Sequence, residues 1–565
     1  MSLASFAFSK LVFWLALLSL SCRAVDESKF RTCEQGSFCR RYRKYIQKVD
    51  TASTFHFEGS LFAHELDSTT LTNKGHVVTA KINHVHDSSV KPLLLDLRFF
   101  RDDVNNNCGI VRAFITEEDP LHPRFRLTEG DVIRHETELK PDKVSMVAGQ
   151  VGTTELTSVM ADGSVDDCQV TLRHRPFELE VSYKRVVIQR MNSKHFLNFE
   201  RYRIQHAPAR HSDALVDATD VDGRDLWQES FGGHTDTKPR GPAAVGVDVF
   251  FEDAVEVYGL AEHAAGLGLA ENRFDEPYRF FNLDVFEYAL NKPMALYGAV
   301  PLVTALHKSA NPTVSGFFFS NPSEGFVKVE ASKKKKKGAS GIDSWWLFES
   351  GVLDVFFFMG PTPENVLEQY HTVTGFPRMP PLATLGKHQS RWNYVDVEDA
   401  VGVNRKFDQH DIPYDVLWLD IEHTDGKKYF TWHPSHFANP GTLLDALEAS
   451  KRHLVTIVDP HIKKDAGYDV YNKIKNHDYF TKTKDGGLYD GWCWPGTSSY
   501  PDFCNPAVRG LWATFFKMDY YPHNRVDLWT WNDMNEPSVF NGPEVTMPRD
   551  NLHKCSSNSY GAQRP

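Results

Sequence analysis

Two folds are predicted in one chain: an all-β N-terminal sandwich, then an α/β segment forming the first half of an incomplete (β/α)8 TIM barrel. Three observations predict this. Residues 45–370 carry short alternating or β-branched runs broken by Gly, Asp, Asn and Pro clusters, as in "HVVTAKINHV" and "AVGVDVFFE". After "GFPRMPPL" the text changes to strand, polar or acidic loop, helix, repeated four times through residues 371–565. Each of those strands ends in residues that look chemical, and (β/α) barrels carry their active sites at the C-terminal strand ends.

The elements follow in order. Lys10 precedes an apolar run, "LVFWLALLSL" (11–20), and "SCRAV" puts Cys22 and Ala24 at small-residue cleavage spacing. Residues 1–24 therefore read as a secretory signal peptide, since the run is too short to span a bilayer. No later stretch has transmembrane length, so no membrane span is expected after cleavage. Residues 25–44 hold "RTCEQGSFC", whose Cys33 and Cys39 are expected to close a disulfide loop in an oxidising lumen. Cys108, Cys168, Cys493, Cys504 and Cys555 lack zinc-site spacing and read as buried or free thiols. Within the sandwich text, "ASKKKKKGAS" (331–340) reads as a solvated loop. In the second half, "LATLGKHQS" (382–390), "YDVLWLDIEHT" (414–424), "HLVTIVDPHIK" (453–463) and "VDLWTWNDMNE" (526–536) read as strands. Helices are expected over "VEDAVGVNRKFDQHD", around Leu443, Leu444 and Leu447, and after Asn505 and Pro506. Between the last two strands runs an aromatic excursion, "YDGWCWPGTSSYPDF" (489–503).

Composition narrows the function. A formal net charge of -11 with no dominant basic stretch argues against nucleic acid as a partner. No P-loop, dinucleotide fingerprint or G-x-S-x-G elbow occurs. Asp459 and His461, with Asp420 on a neighbouring strand, have the chemistry to ligate a cation, but no H-E-x-x-H or clustered histidine spacing supports a metal, and none is expected. Nor is a cofactor.

What remains is carboxylates set among aromatics, most densely in "WNDMNEPSVFNGPE" (531–544). Sugar hydrolysis asks for both: ring faces hold the C–H surface of a sugar, and carboxylates meet a cationic, oxocarbenium-like transition state. One carboxylate attacks the anomeric carbon while another protonates the leaving oxygen, about 5 Å apart in retaining enzymes. Alternation along a persisting strand puts Trp531, Asp533 and Asn535 on one side and Glu536 on the other, which favours Asp533 as the attacking group.

That stretch closely resembles the nucleophile signature of family 31 glycoside hydrolases, in particular the glucosidase II α-subunit branch of the endoplasmic reticulum. "HQSRWNY" (388–394), "WLDIEHTDGKKYFTW" (418–432), "VDPHIK" (458–463) and "DGWCWPG" (490–496) fall in the family's order. Upstream, "HTDTKPRGP" (234–242), "YGLAEH" (258–263) and "PYRFFNLDVFEY" (277–288) agree as well. The resemblance implies a galactose-mutarotase-like sandwich and α-glucosidase activity. Asp533 matches the nucleophile, and Asp420 the acid that holds sugar hydroxyls, with Ile421 beside it. Trp392, Trp494 and Trp531 match aromatic walls, Met534 lines the pocket, and Asp284 matches an acid on a sandwich loop over the barrel mouth. It also implies terminal α-linked glucose of N-glycans as substrate, the endoplasmic-reticulum lumen as location, and a glucosidase II β subunit as partner.

The sequence departs from the family at Lys387, where a tyrosine is usual, and at His433, where an aspartate is usual. After "MPRDNLH" it reads "KCSSNSYGAQRP" and stops. The family continues into the acid/base aspartate, a pocket arginine and histidine, and the remaining barrel strands. The expectation is a truncated representative; the alternative is a non-catalytic carbohydrate-binding fragment or pseudoenzyme.

Overall fold

The computed structural model describes residues 26–51, 63–104, 106, 108–127, 130, 132–160, 162–204, 226–269, 275–308, 314–332 and 340–554. The signal-peptide segment and the lysines of 333–337 lie outside the described residues. No helix among them is long and apolar enough to cross a membrane.

Two antiparallel sheets, one of nine strands and one of ten, face each other in the N-terminal part. Strands such as Val77–His84 and Leu93–Arg101 bury every second side chain, so their apolar residues share one face. Leu95, Val111, Phe317 and Val355 from the first sheet meet Val170, Val247, Trp346 and Phe348 from the second in one core. Val314–Phe319 and Leu353–Phe358 instead bury every residue. Their outer face is covered too: helix Pro363–Thr374 lays Val366 and Val373 on Phe318, Phe356 and Phe358. The other sheet is roofed in the same way by helix Ser37–Thr51, whose Phe38, Tyr42 and Ile46 pack on Phe326, Trp345 and Leu347.

That N-terminal helix corrects the expected loop of 25–44. Cys33 and Cys39 are disulfide-bonded, but the bond clasps the helix's first turn. Reading the remaining cysteines as thiols was wrong at three positions. Cys108 and Cys168 form a disulfide between the two facing sheets, and Cys504 is disulfide-bonded as well. A separation of 60 residues hid the first pairing, which only the packing of sheet on sheet creates. Cys493 is free and buried.

The second half holds a four-stranded parallel sheet in sequence order: β1 (His388–Arg391), β2 (Val416–Leu419), β3 (His453–Val458) and β4 (Leu528–Asn532). Helices α1 (Val397–Gln409), α2 (Pro440–Ala449), α3 (Asp469–Asn476) and α4 (Pro506–Thr514) connect them. Sequence sets their starts. Asp396 caps α1 by accepting from the Asp399 amide, and Asn505 caps α4 from Ala507, with Pro506 in the first turn where its missing N–H costs nothing. The first strand is shorter than expected, because Leu382–Leu385 is a 3-10 turn. Pro380 and Pro381 cannot donate to a ladder, so pairing waits until His388. The aromatic excursion folds as a hairpin, Asp490–Cys493 with Gly496–Ser499, to which Ile462–Lys463 adds a third strand. Helix α3 was not anticipated: no side chain caps it, and only Val470, Tyr471 and Ile474 mark its buried face.

Candidate active site

The parallel strands all deliver their C-terminal ends to one place. β2 stops at Leu419, and Asp420 turns the chain, its carboxylate accepting from the Ile421 amide at 2.7 Å. Past the end of β3, Asp459 and His461 are wholly buried and held by Tyr429, whose hydroxyl donates to Asp459 and lies 2.7 Å from His461 Nε2. β4 stops at Asn532, immediately before Asp533. Met534 then takes a positive φ of 59° and is buried, so the strand does not persist to Glu536. Selecting Asp533 by strand alternation therefore rested on a strand that is not there; the chain turns, and Asp533 and Glu536 end up beside the same acids. The sandwich supplies one more. Asp284, buried to 5 % exposure, accepts from Ser538 Oγ at 2.7 Å across the junction.

These acids act on one another. Burial pushes the Asp533 carboxyl above the ordinary aspartate range, and Asp459, Asp420 and Asp284 push it the same way. Asp420 is raised by burial, then by Asp459 and Glu422. Asp284 is raised by burial, against the pull of Ser538. Glu536 is carried furthest, up to about 7, by burial and then by Asp284 and Asp533. Its Oε2 is buried with no hydrogen-bond partner among the described residues. Crowded carboxyls whose pKa values are all raised, one of them to about 7, are suited to acid, base and nucleophilic work on a ligand that develops positive charge.

Aromatic rings border the cluster. Trp494 stands edge-on to Phe540 with centroids 4.8 Å apart, and Phe540 lies 6.1 Å from Phe286 of the sandwich side. Trp531 packs on Trp418 at 5.4 Å, and Trp418 Nε1 donates to His388 Nδ1 at 2.8 Å. Trp392 is 69 % exposed, anchored by its indole N–H to Glu422, two residues from Asp420. Asp284 and Asp420 are thus brought close enough to Asp533 for both to act on it. Ile421 is buried in the same apolar cluster against which Trp531 packs, and Met534 is buried. Sequence reasoning did not select Phe286, Phe540 or Tyr429. All three rings carried a local signal, each lying inside a quoted motif that also holds a selected acid: Phe286 with Asp284, Tyr429 with Asp420 and Phe540 with Asp533.

Comparison with known proteins agrees with this geometry. The glycosyl hydrolases family 31 TIM-barrel domain matches residues 377–563, and the glycosyl hydrolase 31 N-terminal galactose mutarotase-like domain matches residues 103–327. Neutral alpha-glucosidase AB of Mus musculus is 38 % identical over 94 % of this chain and 56 % of its own length. A probable glucan 1,3-alpha-glucosidase of Arabidopsis thaliana is 40 % identical over 96 % and 57 %. A crystal structure of an ER glucosidase II heterodimer, catalytic subunit with the binding domain of its regulatory subunit, superposes with a TM-score of 0.82 at 36 % identity, covering 93 % of this chain and 57 % of that one. The chain spans about half the length of the curated relatives it matches. Two family-31 domain models in their expected places, with relatives near two-fifths identity along almost the whole chain, place it in glycoside hydrolase family 31.

Proposed function

We propose that this chain carries the sugar-binding and nucleophilic half of a retaining α-glucosidase, with residues 45–370 as the sandwich unit and 371–565 as the catalytic unit. Asp533 attacks the anomeric carbon and forms a β-glucosyl ester, and water then releases α-glucose. Asp420 and Asp284 hold the hydroxyls of the glucose, and Trp392, Trp494 and Trp531 wall the pocket beside Ile421 and Met534. The observation that carries the reading is that Asp420 and Asp284 both act on Asp533 at the strand ends, beside rings, where carboxylates are the charges felt by Asp533 and by Asp420.

Likeness to the ER glucosidase II structures supports three further parts of the proposal. The substrate is terminal α-linked glucose of N-glycans, the site of action is the endoplasmic-reticulum lumen, and the partner is a glucosidase II β (regulatory) subunit. An activated substrate tests the core of it. A 5-fluoro-α-glucosyl fluoride needs no proton on its leaving group, so its labelling of Asp533 reads the nucleophile alone. Mass spectrometry of the labelled peptide 526–540 should show one glucosyl adduct, lost in Asp533→Asn. An adduct on a different carboxylate would reassign the nucleophile. Saturable glucose binding with no adduct would favour the non-catalytic carbohydrate-binding reading.

A further inference from the structure

On the flank of the sandwich, away from the strand ends, a cavity of about 60 Å³ opens between the N-terminal helix and the "TDTKPRGP" segment of 235–242. Three of its lining residues are cations, Arg41, Lys238 and Arg240, and two are acids, Glu200 and Glu349. The acids are already engaged. Glu200 receives a fork from Arg41 Nη2 at 2.9 and 3.1 Å and the Ala244 amide at 3.0 Å, and Glu349 is paired with Arg549 at 3.2 Å.

The cations are not all matched. Lys238 is occupied by Glu229 and Ser37. Arg240 pairs with no carboxylate among the described residues; its guanidinium lies 5.6 Å from the Tyr202 ring centroid. Arg41 is 2 % exposed, and its Nε and Nη1 have no hydrogen-bond partner among the described residues. Buried donors in folded proteins are nearly always bonded, and an orphaned pair on a guanidinium calls for an acceptor. A planar guanidinium with free N–H groups, a second arginine opposite and aromatic walls from Phe38 and Phe125 make a socket for a small oxyanion.

We propose that this cavity is an oxyanion-binding site, held by Arg41 and Arg240, for an anion the size of inorganic phosphate or a carboxylate. Its floor residue Glu349 continues through Arg549 to Glu544 of the catalytic half, so an anion there ties the N-terminal helix to both parts of the chain. The site does not depend on the glucosidase reading.

Isothermal titration of the purified chain with sodium phosphate, and separately with sodium acetate, against sodium chloride at equal ionic strength tests it. Saturable heat is expected with at least one of the two oxyanions and not with chloride, and the two arms tell which is preferred. Binding should weaken at least ten-fold in Arg240→Ala and in Arg41→Gln. Arg240 is the more exposed of the two, so its variant decides the matter should Arg41→Gln fail to fold. Absence of saturable heat with both oxyanions, or affinity unchanged in Arg240→Ala, would overturn the proposal.

Discussion

Two buried clusters of acids lie close together in this molecule and are opposite in kind. At the junction of sandwich and barrel segment, Glu229, Glu324, Glu349 and Glu544 are interleaved with Arg31, Lys238, Arg279 and Arg549. Arg279 reaches Glu324 at 2.7 Å and Glu544 at 2.5 Å, and Phe281 lies 4.8 Å from both the Arg279 and the Arg549 guanidinium. At the strand ends, the charges that act on Asp420, Asp533 and Glu536 are other carboxylates. Burial raises a carboxyl in both places. At the junction the arginines overcome it, and Glu324 falls to about 2; at the strand ends nothing does, and Glu536 climbs to about 7. The same side chain is a clasp in one setting and a reactive group in the other, and the partner decides which.

Breaking the clasp should have the largest effect. Arg549→Met leaves Glu324, Glu349 and Glu544 short of a buried counter-charge, a situation that typically costs about 3–5 kcal/mol. Urea unfolding at pH 7 should show that loss. A change under about 1 kcal/mol would mean that apolar contacts, not charge, hold the two parts together.

A smaller effect separates the clusters by pH. Glu324 has a folded pKa below its ordinary 4.5, so its stabilisation is complete above that value and drains away as pH falls towards about 2. Glu536 has a folded pKa above 4.5, so the folded state holds the extra proton, and stability declines as pH rises from about 4.5 through about 7. Stability should therefore fall on both sides for separate reasons. Glu536→Gln removes the alkaline decline alone, a gain of about 1–3 kcal/mol at pH 8 after allowing for partial solvent access, with the acid limb unmoved. Thermal melts from about pH 2 to 8 check this, and an unchanged alkaline limb would place the decline elsewhere.

How much of this was legible in the sequence follows the same division. The strand-end acids were readable because each sits in a local string, Asp420 in "WLDIEHT" and Asp533 in "WNDMNEP", and a parallel sheet carries strand ends to one side by topology alone. The sandwich was readable from alternation, as in Val77–His84. The junction was not. Arg31, Glu229, Arg279, Glu324 and Glu544 are spread over more than five hundred residues, and nothing near any of them names its partner. Cys108 and Cys168 were missed for the same reason. Phe286 and Phe540 meet only because a sandwich loop crosses to the barrel segment, so the aromatic wall they share with Trp494 belongs to tertiary packing.

The smallest expected effect on stability sharpens the contrast furthest, at Trp392. Its ring is 69 % exposed and its indole N–H reaches Glu422 at 3.2 Å near the surface, so folding gains little from it. Trp392→Ala should change the free energy of urea unfolding by no more than about 0.5 kcal/mol. Evolution of the fold alone gives no reason to hold so large an apolar surface in water next to Asp420, whereas stacking on a sugar face does, worth about 1–2 kcal/mol, or roughly 5- to 30-fold in affinity. Titration of glucose into the wild-type chain and the variant reads that difference directly. A variant that loses stability but binds glucose as before would make Trp392 a structural residue and shift the pocket wall to Trp494 and Phe540.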